Sequence, residues 1–270
     1  MNFHAAKIMG VINVTPDSFS DGGVHATIAG AVEHGCRLAD EGAHILDIGG
    51  ESTRPGAALV SDDEEIERVL PVVEALCAKT DAIVSIDTRK SAVAKAAIGA
   101  GARIWNDVSA LSFEDESIQT AASLSCDIVL MHAQGVPQTM QDNPSYVDVV
   151  MEVKAYLAGR AELCVAAGID RSRLIIDPGI GFGKTLDHNL ALLAGLAELK
   201  SLNLPLLVGA SRKRMIAALD RDGPAAERLG GSVAAALEAV RSGADIVRVH
   251  DVAQTRQALA VAGSIRDGKS

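Results

Sequence analysis

Hydrophobic residues in this chain form short continuous runs, and they do not alternate with polar residues. Each run is rich in Val and Ile and is followed by polar or glycine residues. A continuous apolar run of this length is typical of a strand buried on both faces, as in a parallel sheet covered by helices. The eight runs cover residues 7–14, 44–50, 83–88, 103–109, 127–132, 173–179, 204–211 and 245–251.

Segments with helical periodicity lie between these runs. Several of them end at a glycine, which suits the left-handed position after a helix. Strands and helices therefore alternate, and we predict a single (β/α)8 barrel domain over residues 1–270. An open doubly wound sheet is the alternative, but the first strand lacks the Gly-x-Gly-x-x-Gly turn typical of a dinucleotide fold. The clearest helical segments are Ala29–Glu41, Asp62–Thr80, Ser91–Ile98, Tyr146–Ala167, Leu190–Lys200 and Ala225–Arg241.

The amino-acid composition argues against several classes of protein. With 48% hydrophobic and 3% aromatic residues, the chain can build a large aliphatic core, which excludes disorder. A net charge of -10 without a Lys/Arg-rich run argues against nucleic acid or an anionic membrane as a partner. The N-terminus lacks a signal peptide pattern, and no charge-free apolar stretch reaches about 18 residues, so we expect a cytosolic protein. The four cysteines are far apart and are expected to be buried: Cys36, Cys77, Cys126 and Cys164.

Polar residues close every predicted strand, and in a barrel these ends meet at one rim, where active sites lie. Burying such groups costs about 1–3 kcal/mol each unless they are paired, so core stability does not explain them. An Asp or Ser after a strand can also cap the next helix, and for Asp87 both interpretations stay open. The residues are Asn13, Asp47, Glu51, Asp87, Asn106, Asp107, His132, Asp177, Ser211, Lys213, Arg248 and His250.

Positive charge is concentrated after the last two strands, although the chain as a whole is acidic. Lys213, Arg248 and His250 lie where barrels often hold a phosphate, so we predict an anion site there. Surface ion pairs with Asp251 or Glu51 are the alternative.

The connections after strands 1 and 2 are long, covering residues 13–23 and 49–57, and both are rich in turn-forming residues. Loops of this kind on a barrel rim are commonly mobile lids. Phe19 and Arg54 have no core to pack into on such loops and are predicted substrate contacts.

Three motifs are the most specific features of the chain: Asn13–Gly23, Asp47–Gly56 and Asp177–Lys184. Together with Met131-His132 and Ser211-Arg212-Lys213, they resemble the dihydropteroate synthase family, the folate-pathway enzymes that sulfonamides inhibit. The resemblance covers nearly the whole chain. It implies that p-aminobenzoate displaces pyrophosphate from (7,8-dihydropterin-6-yl)methyl diphosphate to give 7,8-dihydropteroate.

The resemblance also implies a role for each matching residue. Carboxylate and amide groups suit the polar edge of a pterin, and cations suit a diphosphate. The implied pterin contacts are Asp87, Asn106, Asp177 and Lys213, with Met131 and Phe182 packing on the ring. The implied diphosphate contacts are Thr53, Arg54, Arg248 and His250, with Asn13 as a ligand of Mg²⁺. The implied p-aminobenzoate contacts are Phe19, Pro55 and Lys213. Of these residues, the expected catalytic groups are Asp87, Asp177, Lys213, Arg248 and His250.

The absence of a well-placed general base favours a mechanism in which the diphosphate leaves before the amine attacks. The alternatives are the pterin-binding domain of a corrinoid-dependent methyltransferase and a noncatalytic relative, but the lid motifs and the cationic cluster favour the synthase. Arg214 departs from many family members, which have a smaller Ser at this position. The resemblance and the Ala-rich segment Gly231–Val240 suggest a homodimer.

Overall fold

Eight strands form at the positions of the eight apolar runs. The computed structural model describes residues 3–15, 23–51, 59–135, 140 and 142–268. The predicted lids lie partly outside these ranges, at residues 16–22 and 52–58. The strands are β1 (Lys7–Asn13), β2 (Ile45–Gly49), β3 (Ile83–Asp87), β4 (Ile104–Asp107), β5 (Asp127–Met131), β6 (Leu174–Asp177), β7 (Leu207–Val208) and β8 (Ile246–Val249).

The strands form one parallel sheet in the order β6-β5-β4-β3-β2-β1-β8-β7. A parallel bridge between Ile176 and Leu206 brings β6 next to the residue that precedes β7. Because this bridge joins the two edges of the sheet, the predicted (β/α)8 barrel is confirmed and the open doubly wound alternative is wrong. That residues 1–270 form a single domain stays a prediction.

Helices surround the sheet in the described part of the chain, and none of these is long and apolar enough to cross a membrane. They include every helical segment predicted from periodicity, with shifted ends. The helices are α1 (Gly23–Asp40), α2 (Asp62–Lys79), α3 (Ser91–Gly99), α4 (Ser117–Ser123), α5 (Val149–Ala166), α6 (Leu186–Ala194), α7 (Leu196–Lys200), α8 (Arg214–Leu219), α9 (Leu229–Arg241) and α10 (Val252–Asp267).

Two boundary differences have local causes. Helix α5 begins three residues later than predicted because Asp148 caps it, accepting the backbone N–H groups of Val150 and Met151. The segment predicted as one helix over Leu190–Lys200 is divided into α6 and α7 at Gly195. A Cβ at Gly195 would lie 2.8 Å from Cγ2 of Val150, so the glycine allows α5 to pack closely at this break.

The core has an outer layer between sheet and helices and a smaller layer inside the barrel. Each strand contributes one aliphatic residue to the inner layer, and each such residue is worth about 1.5–3 kcal/mol of burial. This layer closes the lower part of the barrel, so any ligand must bind above it. Its members are Met9, Ile45, Ile83, Ile104, Val129, Ile175, Leu207 and Ile246.

Candidate active site

The floor of the site lies directly above the inner apolar layer. Successive side chains on a strand point to opposite faces, so the residue two positions beyond each inner aliphatic residue points into the barrel again. This rule places several of the predicted rim residues, Asp47 among them, on one floor, and it adds Ser85 to them. The floor positions are Val11, Asp47, Ser85, Asn106, Met131, Asp177, Gly209 and Arg248.

Arg248 lies between two carboxylates on this floor. Its Nε donates to Oδ2 of Asp47 at 2.6 Å, and its Nη2 donates to Oδ2 of Asp87 at 2.7 Å. The side-chain nitrogen of Asn106 donates to the same Asp47 oxygen at 3.1 Å. These four residues, Asp47, Asp87, Asn106 and Arg248, are called the carboxylate cluster below. The cluster contradicts the alternative that Arg248 pairs with Asp251 or Glu51.

Burial controls the protonation of the cluster. Burial raises the pKa of Asp87 to about 7; the charge of Arg248 acts against this rise, and the charge of Asp47 adds to it. For Arg248, burial acts to lower the pKa, but the charges of Asp47 and Asp87 outweigh it and raise the pKa above its ordinary value. One guanidinium is therefore hydrogen-bonded to two carboxylates. Because two acidic groups share one cation, the cluster has an affinity for a further positive or hydrogen-bond-donating group.

Asp87 does not cap the following helix, which was the open alternative for this residue. The N-cap position of α3 is Lys90, whose side chain makes no cap hydrogen bond, and Oε2 of Glu114 accepts the backbone N–H of Ser91 at 2.9 Å. Lys90 instead lies in a buried ion-pair network, with its Nζ 2.7 Å from Oε2 of Glu65 and 3.7 Å from Oε1 of Glu51. Asp87 is therefore available to the site.

On the opposite side of the rim, residues 177–184 form a glycine-rich turn, called the glycine loop below. Oδ1 of Asp177 accepts the backbone N–H of Gly179 at 2.7 Å. Gly179 has φ +66°, and a Cβ there would lie 1.9 Å from the carbonyl oxygen of His132. Only glycine fits this close approach, which fixes the loop against the end of β5. Burial raises the pKa of Asp177 to about 6.

The ammonium group of Lys184 ties the glycine loop to β5. Its Nζ is 2.9 Å from Nδ1 of His132, and it donates to the carbonyl oxygens of His132 at 3.2 Å and Phe182 at 2.9 Å. Burial lowers the pKa of Lys184 to about 7. Burial, with the Lys184 charge, lowers the pKa of His132 to about 3, so His132 is neutral and its Nδ1 can accept a hydrogen bond.

Lys213 connects the two sides of the rim. Its Nζ lies 4.2 Å from the ring centre of Phe182, a cation–π distance. Burial lowers the pKa of Lys213 to about 8; the charge of Arg248 adds to this effect, and the charges of Asp177 and Asp87 oppose it. Charged groups on both sides of the rim therefore act on the Lys213 ammonium. The neighbouring ring of Phe182 offers a face that a flat heterocycle can contact.

His250 follows β8 and packs against the end of β7. Its backbone N–H and its Nδ1 lie 3.2 Å and 3.1 Å from Oγ of Ser211. Burial lowers the pKa of His250 to about 4, so this residue is neutral at pH 7 in this structure and adds no positive charge to the predicted anion site. The adjacent Arg212 pairs with Asp251 through two hydrogen bonds, of 3.0 Å and 2.5 Å.

The structure places most of the predicted residues at one rim. Asn13 is exposed at the end of β1, and Met131 is buried at the end of β5, in register with Asp177. Four predicted contacts lie outside the described residues: Phe19, Thr53, Arg54 and Pro55. Sequence analysis placed Asp47 at the rim without a specific role, and it assigned no role to Lys184. Their positions inside two of the motifs were the available signal.

The described residues contain no group of three or more His, Cys, Asp or Glu that could hold a metal ion by themselves. Mg²⁺ often takes few protein ligands and completes its coordination with water and phosphate oxygens. The exposed amide oxygen of Asn13 at the rim has the hard-ligand chemistry for such a site.

Comparisons with known proteins agree with this geometry. The family model described as pterin binding enzyme matches residues 9–250. The dihydropteroate synthase of Escherichia coli (strain K12) is 50% identical over 254 residues, which cover 94% of this chain and 89% of that protein. The structure of Xanthomonas albilineans dihydropteroate synthase with 4-aminobenzoic acid has a TM-score of 0.92 and 49% identity, covering 98% of this chain and 95% of that chain.

A second structure of the Xanthomonas albilineans dihydropteroate synthase, in complex with 7,8-dihydropteroate, has a TM-score of 0.89 and 46% identity, again covering 98% of this chain and 95% of the other. The similarity thus extends through the barrel and through all the strands that form the rim. The chain therefore belongs to the pterin-binding enzyme family, and within it to the dihydropteroate synthases.

Proposed function

We propose that this chain joins p-aminobenzoate to (7,8-dihydropterin-6-yl)methyl diphosphate, releasing pyrophosphate and forming 7,8-dihydropteroate. The observation that carries this proposal is the carboxylate cluster, whose charges act on Lys213 together with that of Asp177, next to the ring of Phe182. Similar proteins bound to 4-aminobenzoic acid and to 7,8-dihydropteroate support it. These relatives match over the whole barrel, which gives no support to the methyltransferase or noncatalytic alternatives.

The pterin lies between the two sides of the rim in this proposal. Asp87 and Asp177 accept hydrogen bonds from its amino and ring N–H groups, and Asn106 serves the mixed donors and acceptors beside them. Lys213 donates to the ring carbonyl and a ring nitrogen. Phe182 and Met131 pack on the ring, which accounts for these apolar side chains in a site that also contains charged groups.

The diphosphate lies towards β8, where Arg248 and His250 contact it together with Thr53 and Arg54. Asn13 would hold Mg²⁺ on the diphosphate, and the ion would supply positive charge that lowers the cost of releasing the leaving group. A phosphate next to His250 would favour its protonated form.

The bond between the pterin methylene carbon and the diphosphate oxygen breaks first, and its electron pair goes to the oxygen. The resulting cation is conjugated with the pterin ring, and Asp87 and Asp177 stabilise it as carboxylates. The aromatic amine then attacks the methylene carbon next to Phe19, Pro55 and Lys213, and its proton passes to the released pyrophosphate or to solvent. No protein nucleophile takes part. We also propose that the enzyme acts in the cytosol as a homodimer.

The test is to measure pyrophosphate and dihydropteroate from the two substrates, with and without Mg²⁺. We expect both products in equal amounts, and a loss of turnover of about 100-fold or more in Asp87→Ala and Asp177→Ala. Glu238→Gln on α9 is the control, since its side chain is exposed. Near-normal turnover in a variant lacking both aspartates would show that the pterin is bound elsewhere.

A further inference from the structure

Asp47 is the most deeply buried carboxylate of the site, with no exposed surface. Its Oδ2 accepts hydrogen bonds from two different strands, one from Arg248 on β8 and one from Asn106 on β4. Its Oδ1 is buried and has no hydrogen-bond partner among the described residues. Since an unpaired buried carboxylate oxygen is costly, this arrangement is not explained by stability alone.

The two hydrogen bonds from Arg248 to carboxylates differ in burial and in the guanidinium nitrogen that donates them. Asp47 is wholly buried and takes the Nε–H, which is nearest to the backbone of Arg248. Asp87 is more exposed and takes one Nη2–H. A substrate can displace Arg248 from Asp87, whereas the bond to Asp47 lies below the space that the substrate would occupy. The bond to Asp47 can therefore persist while the outer end of the guanidinium changes partner.

We propose that Asp47 is a positioning residue of this site: its carboxylate anchors Arg248 through Nε and Asn106 through its amide, and so sets where both side chains meet the substrate. This inference rests on the proposed function. Because Asp47 lies beneath Asp87, it also adds negative charge close to the carboxylate that binds the pterin.

The anchoring can be tested with a double-mutant cycle of Asp47→Asn, Arg248→Gln and both together. The substituted amide at position 47 keeps an oxygen for Asn106 but loses the charge that orients Arg248. We expect Asp47→Asn to lower kcat/KM for the pterin diphosphate by about 100-fold, since small misplacements of catalytic groups cost this much. In the Arg248→Gln background, the same change should cost less than about 3-fold. Ser117→Ala is the matched control: Ser117 is equally buried, lies on α4 and has its Oγ 3.4 Å from that of Ser91, outside the proposed site.

The pH profile gives a readout that a purely structural role would not change. Asp87 is acted on by Arg248, Asp47, Glu65, Asp107 and Lys213. Losing the Asp47 charge lowers the pKa of Asp87, so the acid limb of kcat/KM in Asp47→Asn should move to lower pH. Equal losses from Asp47→Asn in both backgrounds, or an unmoved acid limb, would overturn the proposal.

Binding separates this inference from the proposed function. Calorimetry with the pterin diphosphate alone, without p-aminobenzoate, should show weaker binding by Asp47→Asn and unchanged binding by Ser117→Ala. If the wild type binds this ligand but forms no product, the proposed function fails and the role of Asp47 is decided by the binding data. If Asp47→Asn does not fold, the double variant is compared with Arg248→Gln; lower stability of the double variant would count against the anchor, because removing Arg248 leaves Asp47 unpaired.

Discussion

On the β2, β3 and β8 side of the rim, Arg248 is shared by two carboxylates, whereas on the β5 and β6 side Lys184 is surrounded by neutral acceptors. In the carboxylate cluster, two negative groups face one cation, and one carboxylate oxygen stays unpaired. In the glycine loop, the three hydrogens of one ammonium match three acceptors. Both sides bury charge, but only the carboxylate cluster combines an excess of negative groups with an oxygen that has no hydrogen-bond partner among the described residues.

This difference indicates that the two sides of the site have different roles, one in binding the ligand and one in holding the loop. A cluster with uncompensated negative charge can take a ligand group in exchange for an internal partner, at little cost in lost bonds. A saturated ammonium has nothing to exchange, so its role is to hold the loop backbone, and with it Asp177 and Phe182, in place. We therefore expect changes of Gly179 and Lys184, which hold the glycine loop in place, to affect stability first, and changes in the carboxylate cluster to affect catalysis first.

The largest effect is expected from Gly179→Ala. The new Cβ would lie 1.9 Å from the carbonyl oxygen of His132, and the residue would also be held at φ +66°. We expect a loss of more than about 3 kcal/mol in the free energy of unfolding, measured with urea. Gly168→Ala is the control: its φ is +94°, but no atom lies within 4 Å of the new Cβ, so it should lose only about 1 kcal/mol. Equal losses in both variants would mean that the contact with His132 does not fix the loop.

A smaller loss is expected from Lys184→Met. The change removes a buried charge, which is favourable, but leaves the carbonyl oxygens of His132 and Phe182 without this donor. We expect about 2 kcal/mol of destabilisation and a higher KM for the pterin diphosphate. Lys154→Met, in which the lost partner is an exposed Glu198, should change stability by less than about 0.5 kcal/mol. A stable Lys184→Met variant with wild-type KM would refute the holding role.

The dependence of stability on pH should have opposite signs on the two sides. The pKa of Asp87 is raised from 3.8 to about 7, so its contribution to stability is full below pH 3.8 and is lost as the pH rises through 7. The pKa of Lys184 is lowered from 10.5 to about 7, so its contribution is full above pH 10.5 and is lost as the pH falls through 7.

Urea unfolding from pH 5 to pH 10 checks both signs. The free energy of unfolding of each variant is compared with that of the wild type at each pH. Asp87→Asn should gain stability relative to the wild type as the pH rises from 5 to 7. Lys184→Met should gain relative to the wild type as the pH falls from 10 to 7. Parallel curves for either variant would contradict the pKa shift assigned to that residue.

The barrel could be predicted from the sequence because buried parallel strands are continuous apolar runs, and eight such runs alternate with helices. The same property prevented us from predicting which residues form the floor of the site. A strand buried on both faces shows no alternation, so the chain does not tell which polar residue near its end points into the barrel. Asp47 became a floor residue only when Ile45 was seen in the inner layer.

The partners of the charges could not be predicted either. Arg248 is 201 residues from Asp47 and 161 from Asp87, and only barrel closure between β1 and β8 brings them together. The neutral state of His250 follows from burial, which residue type does not reveal. The motif after β6 did indicate a recognition loop. The role of Lys184 within it could not be predicted, because this side chain bonds to His132, which is 52 residues away in sequence.

The smallest effect is expected from two phenylalanines that contact cations, Phe182 in the glycine loop and Phe113 outside the proposed site. Lys213 lies 4.2 Å from the ring centre of Phe182, and Arg89 lies at the same distance from that of Phe113. Phe113 is 43% exposed, and Arg89 is also paired with Glu51. Because a cation–π contact is worth more where water is excluded, Phe182→Leu should cost about 1 kcal/mol of stability and Phe113→Leu about 0.5 kcal/mol.

Activity should separate these two variants more clearly than stability does. Phe182 belongs to the proposed pterin contacts, so Phe182→Leu should raise KM for the pterin diphosphate by about 5-fold, the equivalent of about 1 kcal/mol. Phe113→Leu removes a ring of the same size outside the proposed contacts and should leave KM unchanged. An equal rise in both would mean that the aromatic ring of Phe182 acts only through the local packing of the rim.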